Sequence, residues 1–203
     1  MSVYFYETAK GHKLPHDPLK AIIAPRPIGW ISTLNSEGRP NLAPYSFFNM
    51  VCAVPPIVVF ASTGYKHSVS NAQQTGEFVV NVATFSLLHA VSVTSAPVGA
   101  EINEFEWAQL EDAPCHIVKP PRVAASPAAL ECKVIAINEI HDLNRQGTDS
   151  YLVQGQVVAV HIDEKYLVNG LFDTAAAQPL TRAGYMDYAA THEVFQLPRP
   201  SGG

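Results

Sequence analysis

The chain has 203 residues and a mass of 22.0 kDa, with 47% hydrophobic and 15% charged residues and a formal net charge of −5. It is long enough to bury a core, too apolar to be disordered, and has no cluster of Lys and Arg with which to hold nucleic acid. A charged share below the roughly 25% usual for globular domains points to surface hidden in a partner, and so to a homodimer.

Residues 1–20 read as an irregular arm, and MSVYFYETAKGHKLPHD has no basic start followed by an apolar run of the signal-peptide kind. Residues 28–34 and 41–47 read as strands, with Asn35-Ser36-Glu37-Gly38 supplying the turn chemistry of a hairpin. Beyond them Tyr45, Ser46 and Asn49 stand among Phe47, Phe48 and Met50. Such a mixture suits a ligand that is aromatic at one end and polar at the other, although a hydrophobic edge strand with its turn fits the same spacing. Pro55-Pro56 breaks the apolar run at 51–61, so no stretch reaches the 18 or so residues of a membrane span, and elimination leaves the cytoplasm. The same prolines fix the start of a strand at 57–61.

The polar run 61–68 joins that strand to a helix at 68–75, with Ser68 as N-cap and Gly76 as a left-handed stop. Free amides at a helix start, the Lys66 ammonium and the hydroxyls of Ser62, Thr63 and Ser68 together favour an anion; an ordinary capped turn is the plain alternative. A strand at 77–83 and a helix at 85–94 follow. Residues 97–121 are polar and irregular, with a short helix around 104–110. Alternating apolar residues at 129–140 and 151–162 make a long hairpin with its turn at 141–150, and residues 198–203 form a frayed end. Many strands, few and short helices and no repeat give a mainly β fold, an antiparallel barrel with short helical inserts, as one domain over 1–203.

Several kinds of chemistry lack their signature. GxGxxG, GxxxxGK[ST] and GxSxG are all missing, so neither a dinucleotide fold, a P-loop nor a nucleophile elbow is expected. Eight histidines include no HExxH or HxH pair, Cys115-His116 is an isolated neighbour pair, and three cysteines show no CxxC, so neither a metal nor a disulfide framework is expected. His141, at the end of an apolar strand, is the histidine best placed to reach a pocket.

RPIGWISTLNSEGRPNLAPYSFFN, PPIVVFAS, Lys66 and NAQQTGEFVVNV, followed in order by PPRVAASPAALECKV, VQGQVVAVHID and PLTRAGYMDY, resemble the flavin reductase-like, FMN-binding split β-barrel family, in its flavoredoxin-related branch. The resemblance runs from about residue 20 to about 190. It implies a split Greek-key barrel, a homodimer and FMN near the subunit interface. It puts phosphate and ribityl contacts on Ser46, Ser62, Lys66 and Ser68, with Arg26 near the same entrance, and ring contacts on Ser32, Thr33 and Asn49. Asn81 and Arg182 occupy positions the family shares. Relatives usually carry Lys-Asp-Thr where this chain has Lys66-His67-Ser68, which keeps the hydroxyl and exchanges a carboxylate for an imidazole. Hydride transfer from NADH or NADPH to flavin N5 needs no acid–base residue, so no catalytic side chain is expected. The reduced flavin would pass electrons to free flavin or an acceptor protein. An electron carrier reduced by a protein partner, or a non-catalytic FMN store or sensor, fits the same resemblance.

Overall fold

Segments rich in apolar residues build a seven-stranded main sheet in this computed structural model, which describes residues 1–200. They are β1 (Gly29–Leu34), β2 (Pro40–Tyr45), β3 (Phe48–Ala53), β4 (Pro56–Thr63), β5 (Glu77–Val82), β6 (Ala128–His141) and β7 (Gly147–Ile162). Their spatial order is β2-β1-β5-β6-β7-β4-β3, and every neighbouring pair is antiparallel. The outermost strands, β2 and β3, are separated in sequence by Ser46 and Phe47 alone, so the sheet has to curl until its two ends meet at that corner. The Ala61 N–H ties the corner down by donating to the Phe47 carbonyl at 2.8 Å. This is the split antiparallel barrel the sequence leads one to expect.

Successive residues of a strand face opposite ways, and β1 shows what each side is for. Ile31 joins Val58, Phe60, Phe78, Val80 and Val153 inside the curl, where helix α1 (His67–Thr75) adds Val69 and Ala72. Trp30 faces the other way into a second cluster with Leu42, Val91, Phe105 and Val123, covered by the insert that carries α2 (Leu88–Val93) and α3 (Glu104–Trp107). Gly155 in β7 is required by the first cluster: a Cβ there would lie 2.4 Å from the Phe78 ring.

Several boundaries differ from the sequence reading. β3 is a paired edge strand hydrogen-bonded to β4, the hydrophobic edge strand that the spacing also allowed. Helix α1 begins at His67, because the Lys66 carbonyl already accepts from the Val69 and Ser70 N–H groups at 3.0 Å each; Lys66, not Ser68, is the N-cap. Gly76 ends the helix at φ 73°, its N–H donating to the Ala72 carbonyl, as its glycine suggested. The long hairpin turns more tightly than expected, since the Asp142 side chain accepts from the Asn144 and Gln146 N–H groups at 2.8 and 2.9 Å. A 3-10 turn at Phe85–Leu87 precedes α2. Arg26–Pro27 pairs with Leu180–Gly184, which pairs with Asp187–Ala190, so the tail builds a small second sheet against the arm. Of the expected frayed end, residues 201–203 lie outside the described residues. Among the described residues, no helix is long and apolar enough to cross a membrane.

Candidate ligand-binding site

The site starts where β4 ends. Gly64, at φ 84°, takes a left-handed conformation that turns the chain sharply, and Ser62 Oγ braces the turn by donating to the Gly64 carbonyl at 2.9 Å. Residues 65–68 then open α1, whose first amides have no acceptor within the helix and form its positive end. A cavity of about 460 Å³ lies against them. Tyr45, Lys66, His67 and Ser68 line one side, the 94–98 segment lines the other, and Glu104 is at the base.

Each wall has a support. Ser68, 1% exposed, accepts from Asn41 Nδ2 at 3.0 Å. The Trp30 indole N–H donates to Thr94 Oγ1 at 2.9 Å, which fixes the start of the 94–98 wall. Glu104 accepts from the Leu42 N–H at 3.1 Å. Burial pushes the Glu104 carboxyl up, with its own N–H, the Leu42 N–H and His67 opposing. Burial also raises the Tyr45 phenol, against the Ser68 and Ser62 hydroxyls beside it. Lys66 is exposed and has no ion-pair partner among the described residues.

The residues singled out from the sequence divide into two groups. Lys66 and Ser68 line the cavity, and Ser62 lies buried at the turn that shapes it. Ser46, half-buried, occupies the β2–β3 corner, and Asn49 is exposed on β3, its Oδ1 accepting from the Met50 N–H at 2.8 Å. Ser32 and Thr33 are fully buried. Ser32 donates to the Pro121 carbonyl, and Thr33 accepts from Asn71 Nδ2 of α1 at 3.1 Å. Arg26 is 8% exposed and donates to the Lys20 and Ile23 carbonyls of the arm. Asn81 clamps the fold, donating to the Trp30 carbonyl at 3.0 Å and accepting from the Val123 N–H at 2.7 Å. Arg182 lies over the Tyr188 ring at 4.3 Å. His141 is exposed on the hairpin, its Nδ1 3.0 Å from the Glu139 carbonyl, and lines none of the described cavities. Sequence reasoning missed Asn41, Glu104 and the 94–98 wall. The signal available for that wall was the Thr94-Ser95 hydroxyl pair followed by Ala96-Pro97 at the end of an apolar helix.

A free cation, helix-start amides and several hydroxyls suit a phosphate at one end of the cavity. Ala43, Pro44, Ala96, Pro97 and Val98 offer a flat apolar lining for a ring system beside it. The volume falls within the roughly 300–1,000 Å³ of small-molecule sites. The donor set therefore fits a phosphorylated aromatic cofactor such as FMN.

The profile of the family described as flavin reductase like domain matches residues 23–179. An uncharacterized protein of Halalkalibacterium halodurans, BH2278, is 34% identical over 185 residues, covering 88% of each chain. Among solved structures, nitrilotriacetate monooxygenase component B from Bacillus cereus superimposes with a TM-score of 0.81 at 29% identity, over 88% of this chain and 90% of that one. The 2-nitrobenzoate 2-nitroreductase NbaA of Pseudomonas fluorescens gives 0.78 at 29% identity, over 90% and 88%.

Proposed function

The chain belongs to the flavin reductase like domain family of FMN-binding split barrels, and on that premise we propose that it is an FMN-dependent oxidoreductase reduced by NADH or NADPH. The observation that carries the reading is Lys66: an exposed cation with no carboxylate partner among the described residues, set at the start of α1 beside a cavity that also holds the Ser68 hydroxyl. FMN would supply, when bound, a ring able to take a hydride at N5. Lys66, Ser68 and the first amides of α1 would hold its phosphate, with the Tyr45 and Ser62 hydroxyls behind them. Pro44 and residues 96–98, which line the same cavity, would help to exclude water. Positioning is the whole of the protein's contribution, with no acid–base side chain needed.

The assembly we propose is a cytoplasmic homodimer. Its support is the 15% charged share and the exposed apolar residues Phe47, Met50, Val51 and Val54 on and beside the edge strand β3. Light scattering that gives twice the chain mass supports it, and a monomer at micromolar concentration contradicts it.

Titration of apoprotein with FMN, followed by anaerobic mixing with NADH and with NADPH, tests the function. One FMN per chain and rapid bleaching of the oxidised flavin band by either donor is the expected outcome. Binding without bleaching, together with reduction by a protein donor, would make the chain an electron carrier instead. Lack of FMN binding would overturn the assignment altogether.

A further inference from the structure

We propose that Cys115, Glu131 and His161 form a binding site for one divalent ion of the zinc class, separate from the ligand cavity, that clips the segment 115–118 to the sheet. None of the three lines the cavity at Lys66. They come from distant parts of the chain, so no sequence spacing announces them, and their ligand atoms all lie within 4.8 Å of one another.

Glu131 is the fixed point. It sits in β6 between Val79 of β5 and Ala159 of β7 and is fully buried. Its carboxylate accepts the backbone N–H groups of His116 at 2.8 Å, Ile117 at 2.6 Å and Val118 at 2.8 Å, which orients both oxygens as outer hydrogen bonds orient a metal-binding carboxylate. His161 Nε2 lies 2.6 Å from Oε1. The His116 ring stacks on the His161 ring at 5.2 Å and 12°, fixing the plane in which Nε2 points. Three backbone N–H groups already donate to the carboxylate, so it faces His161 as an acceptor, and the 2.6 Å contact between Nε2 and Oε1 needs a proton between them.

A metal ion takes the place of that proton. Two ligands at about 2.0–2.1 Å from a tetrahedral ion stand roughly 3.3 Å apart, so Nε2 and Oε1 must separate from 2.6 Å by well under an ångström. His161 has room for this, because it borders an open groove of about 490 Å³ that gives the ion access from solvent. On binding, the Cys115 thiol releases its proton to solvent and the imidazole carries its single proton on Nδ1. One thiolate, one carboxylate and a dication sum to zero charge, which offsets the cost of burying each alone. Burial and the Glu131 charge push the Cys115 thiol up to about 11, with Arg122 opposing, so the ion itself has to displace the thiol proton. Arg122 lines the same groove, and its Nε is buried without a partner among the described residues. Sulfur, nitrogen and one oxygen select zinc or cobalt over magnesium or calcium. Three protein ligands leave the fourth position to water.

Chelator-stripped full-length protein, titrated with Co²⁺ and then Zn²⁺, tests the site. Expected are one Co²⁺ per chain, a thiolate-to-cobalt charge-transfer band, visible bands of a four-coordinate site, and displacement of both by one Zn²⁺. The melting temperature should rise with Zn²⁺. Cys115→Ser should abolish the charge-transfer band. His161→Gln still offers an N–H to Glu131 and so preserves the fold, and it should weaken the metal at least about tenfold. Flavin affinity should be the same with and without metal. A folded wild-type protein that shows no charge-transfer band in excess Co²⁺, or a band that persists in folded Cys115→Ser, would overturn the proposal.

Discussion

The layer between the sheet and residues 115–123 and the mouth of the Lys66 cavity use similar polar side chains to opposite ends. In the layer, Arg122 Nε apart, the buried donors have met acceptors. Asn81 spans the Trp30 carbonyl and the Val123 N–H, Ser32 closes on the Pro121 carbonyl, and Glu131 gathers three backbone N–H groups and the His161 ring. At the cavity mouth the supports are just as well tied, through Asn41 to Ser68 and Trp30 to Thr94. The groups facing the space are not: Lys66 and the first amides of α1 keep donors to spare. Saturated polar groups hold a fold together and admit a metal ion only by giving up a proton, as Glu131 and His161 would; spare ones, rigidly held, are open to an organic ligand directly.

That contrast predicts a crossed pattern of effects. The largest belongs to the saturated layer. Glu131→Ala strands three backbone N–H groups and should lower stability by about 3–5 kcal/mol in urea unfolding, with FMN affinity unchanged in the protein that folds. A loss under about 1 kcal/mol would show that the 115–118 segment is held by its apolar contacts instead. Gly155→Ala pushes a methyl into the Phe78 ring and should destabilise by about 1–3 kcal/mol, again without touching the ligand. Thr94→Val sits on the border between the two regions. It removes the Trp30 partner and should cost about 1 kcal/mol in stability, while also weakening FMN by loosening the 94–98 wall; an effect on stability alone would take that wall out of the site. The smallest effect is expected for Asn49→Ala, within about 0.5 kcal/mol for both stability and FMN binding, since its side chain is exposed and bonded to its own neighbour's N–H. A large loss of FMN affinity there would return Asn49 to the site on which family resemblance places it.

The sequence carried much of this, for reasons that differ element by element. Period-two alternation along β6 and β7, the continuous apolar run of β5 and the turn at Asn35–Gly38 are local patterns, so the barrel was legible. Gly76 marked the end of α1 for the same reason. β3 stayed ambiguous because an edge strand of mixed polar and apolar residues has the same spacing as a binding loop, and only its pairing with β4 decides it. Lys66 and Ser68 line the cavity together because they stand two residues apart at the start of one helix. Arg26, Ser32 and Thr33, expected from the resemblance, are bonded by pairing and packing to the Lys20 and Ile23 carbonyls, the Pro121 carbonyl and Asn71, contacts that no spacing encodes. Cys115, Glu131 and His161 meet only through the pairing of β6 with β7 and the return of the 115–118 segment, which no spacing encodes.

Whether the spare donors at the start of α1 bind a phosphate is decided by a four-way titration: wild type and Lys66→Ala, each with FMN and with riboflavin. A charge-assisted contact of about 1.5–3 kcal/mol predicts that Lys66→Ala weakens FMN roughly 10- to 150-fold and leaves riboflavin, which has no phosphate, nearly unaffected. Equal losses for the two ligands, or none for either, would contradict the account.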